Sequence, residues 1–347
     1  MHAFPKFLFA VGLTGLAASP AFSEPGDYKY EEPSGTYSIV AYDPETGDLG
    51  VGVQSNTIAV GSRVRWGQAD VAAIASQASS NPMFGEIGVL LLQRGFTPQE
   101  ALEMMVGMDD GALNRQFAII DAEGETAAWT SPDISDWKGH YCGENFCAQG
   151  NTLTGPDVVV NMGDAFAEAE GTLAERIMAG LEAAEAAGGD RRGTMSAGIM
   201  IFRSQSIAGY GDWYLDLRVD ESDAPIPELR RVLNARLAQD LAGGVGALVR
   251  DESYEEALAL IDEVLELNPG RDAAYLQRAD IYRLMGDDEA ALEALATTVE
   301  LNPKAFFQIL RDDDFAVYHD NPEFLALGDA SSFGPLPESA PEGITAE

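Results

Sequence analysis

The sequence predicts an α+β domain, a pair of sheets held between helix layers, followed by an all-α region. Three observations carry this expectation. Strand-like and helix-like segments come in separate runs rather than in alternation, which argues for layers over βαβ units. From Glu228 onward the apolar spacing becomes purely helical. Hydrophobic residues make up 46% of the 347, enough to build a core across most of the chain.

Thr36 to Tyr42 is rich in aromatic and β-branched residues and reads as the first strand. Asp43-Pro-Glu-Thr-Gly47 has turn chemistry, and Leu49 to Val53 returns as the partner of a hairpin. Val71 to Ser76 is a third strand. Met83 to Arg94 follows as a helix ended by Gly95, and Thr97 to Met105 as a second, with Thr97 as cap and Pro98 in the first turn. Gln116 to Asp121 and Thr126 to Thr130 flank a turn at Glu123-Gly124. Pro156 to Ala187 is helical, broken near Gly171-Thr172 and stopped by Gly188-Gly189. Met195 to Phe202 and Tyr214 to Val219 complete the strands of a domain expected over 36–227.

Residues Met1 to Ser23 carry Lys6, an apolar run from Phe7 to Ala18, and small residues at Ala21 and Ser23. This is the pattern of a cleavable signal peptide, cut after Ser23 or alternatively at Ala21, which predicts a periplasmic or extracellular protein. Residues 24–35 then form a leader. No later apolar stretch is long enough to span a bilayer. The formal net charge of −36 repels phosphate backbones and anionic lipid, so neither nucleic acid nor membrane is an expected partner. No metal or nucleotide motif is present, and Gly243-Gly244 lacks the Lys-Ser/Thr of a phosphate loop, so no cofactor is expected.

Only two cysteines occur, Cys142 and Cys147, five residues apart in a Gly/Asn-rich stretch. An oxidising compartment pairs them as a disulfide; the alternative is a Cys–His nucleophile pair with His140. Histidines number three, of which His2 lies in the signal and His319 in an acidic C-terminal stretch. A Ser-His-Asp hydrolase would have to use His140. Any enzymatic base here is therefore expected to be something other than histidine.

Leu267-Asn-Pro269 recurs as Leu301-Asn-Pro303, a spacing of 34 residues. Tyr275, Ala279, Tyr282, Gly286, Ala291 and Leu295 fall between them at packing positions, and Tyr254, Ala257 and Val264 echo part of the pattern upstream. The segment 236–305 resembles one full tetratricopeptide repeat and a partial one, within a helical region over 228–326. So short a stack must pack on the preceding domain. It reads either as a partner-docking surface or as a helical cap. A Pro- and Glu-rich tail from Leu327 is expected to be disordered.

Gly35-Thr36 opens the first strand. A threonine whose own α-amine is freed by cleavage attacks an acyl carbon while that amine takes the proton, so no histidine is needed. The segments Thr36–Val53, Ser76-Gln-Ala-Ser-Ser-Asn-Pro82, Ala148-Gln-Gly-Asn-Thr-Leu153, and Gly188-Gly-Asp-Arg-Arg-Gly193 with Ser196-Ala197 resemble the domain of unknown function 1028 family. That family is grouped with the N-terminal-nucleophile (Ntn) hydrolases. The resemblance implies a four-layer αββα sandwich, amide-bond hydrolysis on a small amide or peptide substrate, and Thr36 as nucleophile. It also suggests a homodimer through the helix layers.

The other site assignments rest on residue chemistry. Asn151 offers an amide to an oxyanion. Asp190 with Arg191 or Arg192 orients the amine or holds a substrate carboxylate, Arg192 being assigned to the catalytic group and Arg191 to substrate binding. Gln77 and Asn81 line the pocket, and Ser55 relays a proton. Structural readings stand beside these: a helix-ending salt bridge for Asp190 and its arginines, a turn at Gln149-Gly-Asn151, a helix start at Asn81-Pro82. The alternative function is a non-catalytic periplasmic scaffold that binds a partner through the repeat.

Overall fold

The structure, a computed structural model, describes residues 35–134, 136–204 and 213–330. The expected signal peptide, and the leader up to residue 34, lie outside the described residues. Strands β1 (Thr36–Tyr42) and β2 (Leu49–Ser55) form the first hairpin, with Gly47 taking the positive φ its turn requires. A short helix α1 (Gly61–Val64) leads into β3 (Arg65–Gln68) and β4 (Ala72–Ala78). Helices α2 (Pro82–Gln93) and α3 (Pro98–Met108) follow. Asn81 Oδ1 accepts from the Met83 N–H at the start of α2, and Thr97 forms a capping box with Glu100 at the start of α3.

Next come β5 (Arg115–Asp121), β6 (Thr126–Thr130), β7 (Trp137–Gly143) and β8 (Phe146–Leu153). The helical stretch then divides at Gly171-Thr172 into α4 (Asp157–Glu168) and α5 (Leu173–Ala186). Strands β9 (Ser196–Phe202) and β10 (Trp213–Val219) close the domain.

These strands make two antiparallel sheets, one of six in the order β10-β9-β2-β1-β8-β7 and one of four in the order β3-β4-β5-β6. Alternation along β1 sorts the layers. Tyr37, Ile39 and Ala41 point outward to a core with Met162 and Phe166 of α4 and Ile177 and Leu181 of α5. Val40, with Val51 and Val53 of β2, faces Ala73 and Ala75 of β4 and Ala118 and Ile120 of β5. On the far side of the second sheet, Ile74, Phe117 and Ile119 pack on Phe84 of α2 and on Leu102 and Met105 of α3. The layers are αββα, as expected.

Two departures from the expected elements matter. Sequence reading places no strands at β3 or β7–β8 and leaves open a turn at Gln149-Gly-Asn151. In the structure that segment is the middle of β8, hydrogen-bonded on one side to β1 and on the other to β7. Gly, Gln and Asn have poor strand propensity, but every residue of β8 is buried, and ladder pairing on both edges overrides local preference. Cys142 and Cys147 are paired opposite each other across the β7–β8 hairpin and form a disulfide, which removes the Cys–His nucleophile alternative.

The helical region begins at α6 (Pro225–Arg250) and continues through α7 (Tyr254–Leu267), α8 (Asp272–Met285) and α9 (Asp288–Leu301). Leu229 and Leu233, early in α6, sit in the core shared with α5, while Ala238, Ala242 and Val245 pack on α7. A single long helix thus ties the repeat to the sandwich. Gly286, at φ 78°, ends α8. Helix α10 (Ala305–Ile309), a 3-10 turn at Asp313–Tyr318 and α11 (Pro322–Ala330) cover the last pair through Phe306, Phe315 and Phe324. Helix α11 therefore occupies the first residues of the stretch expected to be a disordered tail; the remainder lies outside the described residues.

Candidate functional site

The space between the sheets is apolar at one end and polar at the other. Thr36 and Ser38 on β1, Ser55 on β2, Gln149 and Asn151 on β8, Gln77 on β4 and Gln116 on β5 meet at the polar end, all 3% exposed or less. Thr36 lies in register between Ser55 and Asn151, its neighbours on the two flanking strands. The Thr36 hydroxyl donates to the Gly35 carbonyl at 2.7 Å and lies 3.0 Å from Ser55 Oγ. Ser55 Oγ itself donates to that same carbonyl at 2.6 Å. Two hydroxyls therefore converge on the carbonyl of the Gly35–Thr36 bond.

Asp190 closes this group from the other side. A Cβ built on Gly35 would lie 2.2 Å from the Asp190 carboxylate, so only glycine lets the carboxylate approach so closely. Asp190 accepts from the backbone N–H groups of Arg192 at 3.0 Å and Asn56 at 3.3 Å, and Arg192 Nε lies 3.6 Å away. Burial pushes the Asp190 carboxyl above its ordinary value, against the pull of these partners.

A carboxyl whose pKa is higher folded than unfolded holds its proton more tightly in the native state. Its contribution to stability is full below about pH 4, the unfolded value, and is lost as pH rises through the folded value. The permanently neutral Asp190→Asn should therefore gain stability relative to the parent as pH rises from about 4 to 7. Thermal unfolding across that range checks this; a difference that does not change with pH would contradict it.

The amides of the polar end are locked by backbone acceptors. Gln116 Nε2 faces the carbonyls of Gly139 at 3.0 Å and Gly150 at 2.9 Å, which leaves its Oε1 to accept from Gln77 Nε2 at 2.8 Å and Asn151 Nδ2 at 3.0 Å. Gln77 Nε2 also donates to the Thr36 carbonyl, and its Oε1 accepts from Ser38. Gln149 Nε2 donates to Ser38 Oγ and to the Ala75 carbonyl. Asn151 is thus beside Thr36, as expected, but its amide nitrogen is turned to Gln116, and its Oδ1 is a buried acceptor with no partner.

Gln116 is the hub of this network and carries no signal in the sequence. A glutamine inside an apolar strand stands out only once four strands are brought to it.

Thr36, Ser55 and Gln77 line a small cavity of about 40 Å³, joined by Thr57, Ser80 and Arg63 at its rim and by Val60, Val64 and Ala78. Three non-glycine residues with positive φ adjoin this region: Ala78 directly after Gln77, Thr152 directly after Asn151, and Ala59 in the loop after Ser55. Backbone held in that conformation costs of order 1–3 kcal/mol per residue and concentrates at functional sites. Arg191 is not brought to the cavity; its exposed side chain pairs with Asp136. Asn81 serves as the helix cap described above. His140 bonds Thr130 on β6 through Nδ1 at 3.0 Å and does not line the cavity; burial lowers its pKa. A larger cavity of about 550 Å³ is walled by Asp70, Asp121, Glu123, Glu125 and Thr97, whose hydroxyl is engaged by Glu100, and Thr36 does not line it. Among the described residues no cluster of His, Cys, Asp and Glu is placed to hold a metal, and no helix is long and apolar enough to cross a membrane.

Two face-to-face antiparallel sheets between helix layers, with a threonine opening β1, give a four-layer αββα sandwich. The chain belongs to the family of unknown function DUF1028, which it matches over residues 36–229. A solved DUF1028 structure from Silicibacter pomeroyi is 32% identical, with a TM-score of 0.53, over 57% of this chain and 84% of that one. Another solved structure, Anbu (ancestral beta-subunit) from Yersinia bercovieri, is 12% identical with a TM-score of 0.29, over 59% of this chain and 96% of that one. Residues 248–311 match a tetratricopeptide repeat, a module with the capacity for protein interaction. No curated protein matches the chain.

Proposed function

We propose that the protein is a secreted amide-bond hydrolase that cuts itself between Gly35 and Thr36 and then uses Thr36 as an N-terminal nucleophile. The observation that carries this reading is the convergence of the Thr36 and Ser55 hydroxyls on the Gly35 carbonyl. In the first step Thr36 Oγ1 attacks the Gly35 carbonyl carbon, and Ser55 donates to the oxygen that becomes the oxyanion. The C–N bond breaks, the nitrogen takes the proton, and the resulting ester is hydrolysed by water. This leaves a carboxylate on Gly35 and a free amine on Thr36.

That amine then serves as base for Oγ1 against the carbonyl of a small amide or peptide substrate. An acyl ester forms on Thr36, the substrate amine departs with the proton, and water releases the acid. Asp190, packed against Gly35 Cα, is the carboxylate that orients the new amine, together with Arg192.

Export is supported by the Cys142–Cys147 disulfide, a bond that persists in an oxidising compartment. The repeat supplies a surface for a protein partner. The intact mass of the purified chain tests the proposal: a protein beginning at Thr36 is expected, and a stable mass retaining residues before Thr36 sinks it.

A further inference from the structure

We infer that Arg63 is the specificity residue of this site, and that the substrates are amides bearing a free carboxylate beside the scissile bond. The inference rests on the hydrolase reading above for the word substrate, but the binding it predicts needs no turnover. Arg63 lies on α1 at the rim of the cavity, whose other lining residues are neutral: hydroxyls, the Gln77 amide and aliphatic side chains. Its guanidinium is exposed, and its Nη2 donates to the Ile58 carbonyl at 2.5 Å, a neutral acceptor that leaves the positive charge uncompensated by that bond. No carboxylate lines the cavity. In a chain of net charge −36 that is an uncommon neighbourhood.

The surroundings of α1 reinforce it. Arg65, its side chain 2% exposed, and Arg218 share the carboxylate of Asp216 at 2.7 and 3.7 Å, and both lie against Gly61 at the start of α1, so two more guanidinium groups adjoin the helix that carries Arg63. Planar guanidinium with free N–H groups matches a carboxylate by paired hydrogen bonds. The cavity beside Thr36 admits only a small group, so the anion must sit close to the reacting amide. This moves the anion-receiving role from Arg191, which faces Asp136, to a residue that sequence motifs do not mark.

The test is a titration of the full chain, and of its Thr36→Ala variant, with N-acetylglycine and with N-acetylglycinamide at low salt. At least tenfold tighter binding of the carboxylate is expected in both chains. Arg63→Gln should make the two probes equal, Arg63→Lys should retain part of the preference, and Arg191→Gln should leave it intact. Equal binding in the parent, no binding of either probe, or a preference that survives Arg63→Gln overturns the inference. A chain that keeps the carboxylate preference yet never begins at Thr36 would sink the hydrolase reading and leave this one standing.

Discussion

Thr36→Ala is expected to leave the chain uncut and to abolish amide hydrolysis, with activity falling by on the order of 10⁴ or more. The alanine removes the hydroxyl assigned to attack the Gly35 carbonyl, while Ser55 still donates to its oxygen, so the bond stays polarised but loses its nucleophile. Thr36→Ser keeps the hydroxyl and should still cut. Ser55→Ala keeps the nucleophile but removes the donor at 2.6 Å from the developing oxyanion, and should slow the cut by about 10² to 10³. Time-resolved intact mass on the four chains reads all of these effects. Cutting at the parent rate in Thr36→Ala would assign the cleavage to another protease, and an unchanged rate in Ser55→Ala would remove Ser55 from the mechanism.

The largest effect on stability is expected at Gln116. Truncation to alanine strips partners from Gln77 Nε2, Asn151 Nδ2 and the carbonyls of Gly139 and Gly150, all in the space between the sheets. Each buried polar group left bare costs about 1–3 kcal/mol, so Gln116→Ala should lose about 3–5 kcal/mol. Gln116→Met fills similar volume without the hydrogen bonds and should recover only the packing share. Urea unfolding checks this as a lower midpoint at unchanged slope. A loss below about 1 kcal/mol would mean that water replaces the amide at no great cost. Because Gln77 holds the Thr36 carbonyl, the same variants should also slow the cut at Gly35–Thr36.

The two predictions draw on different parts of what the sequence reveals. Thr36 was legible because its chemistry is local: a glycine, a threonine and a β-branched strand are adjacent in the chain. Asn151 was legible as a candidate because it sits in a segment that resembles the family, and Ser55, two residues past such a segment, only through its hydroxyl chemistry. Gln116 was not, because its role lies wholly in partners 14 to 39 residues away. Arg63 follows the same logic. It lies on a four-residue helix too short to show a period, and only the packing of α1 over β2 and β4 brings it to the cavity. Arg191 is the converse case, a cation beside an interesting aspartate in sequence whose side chain turns out to Asp136.

By itself the sequence determined the layers of the sandwich, the change to helix after the last strand, the 34-residue repeat and the place of Thr36 at the head of the first strand. These are matters of period and of neighbours in the chain, which apolar spacing, caps and turn residues record directly. The tertiary structure alone decided that Gln149-Gly-Asn151 is a buried central strand, that Asn151 presents an acceptor beside Thr36, and that Gln116 sets the direction of the amides. Burial between two paired strands outweighs the propensity of glycine and asparagine, and hydrogen-bond direction is a property of the assembled network.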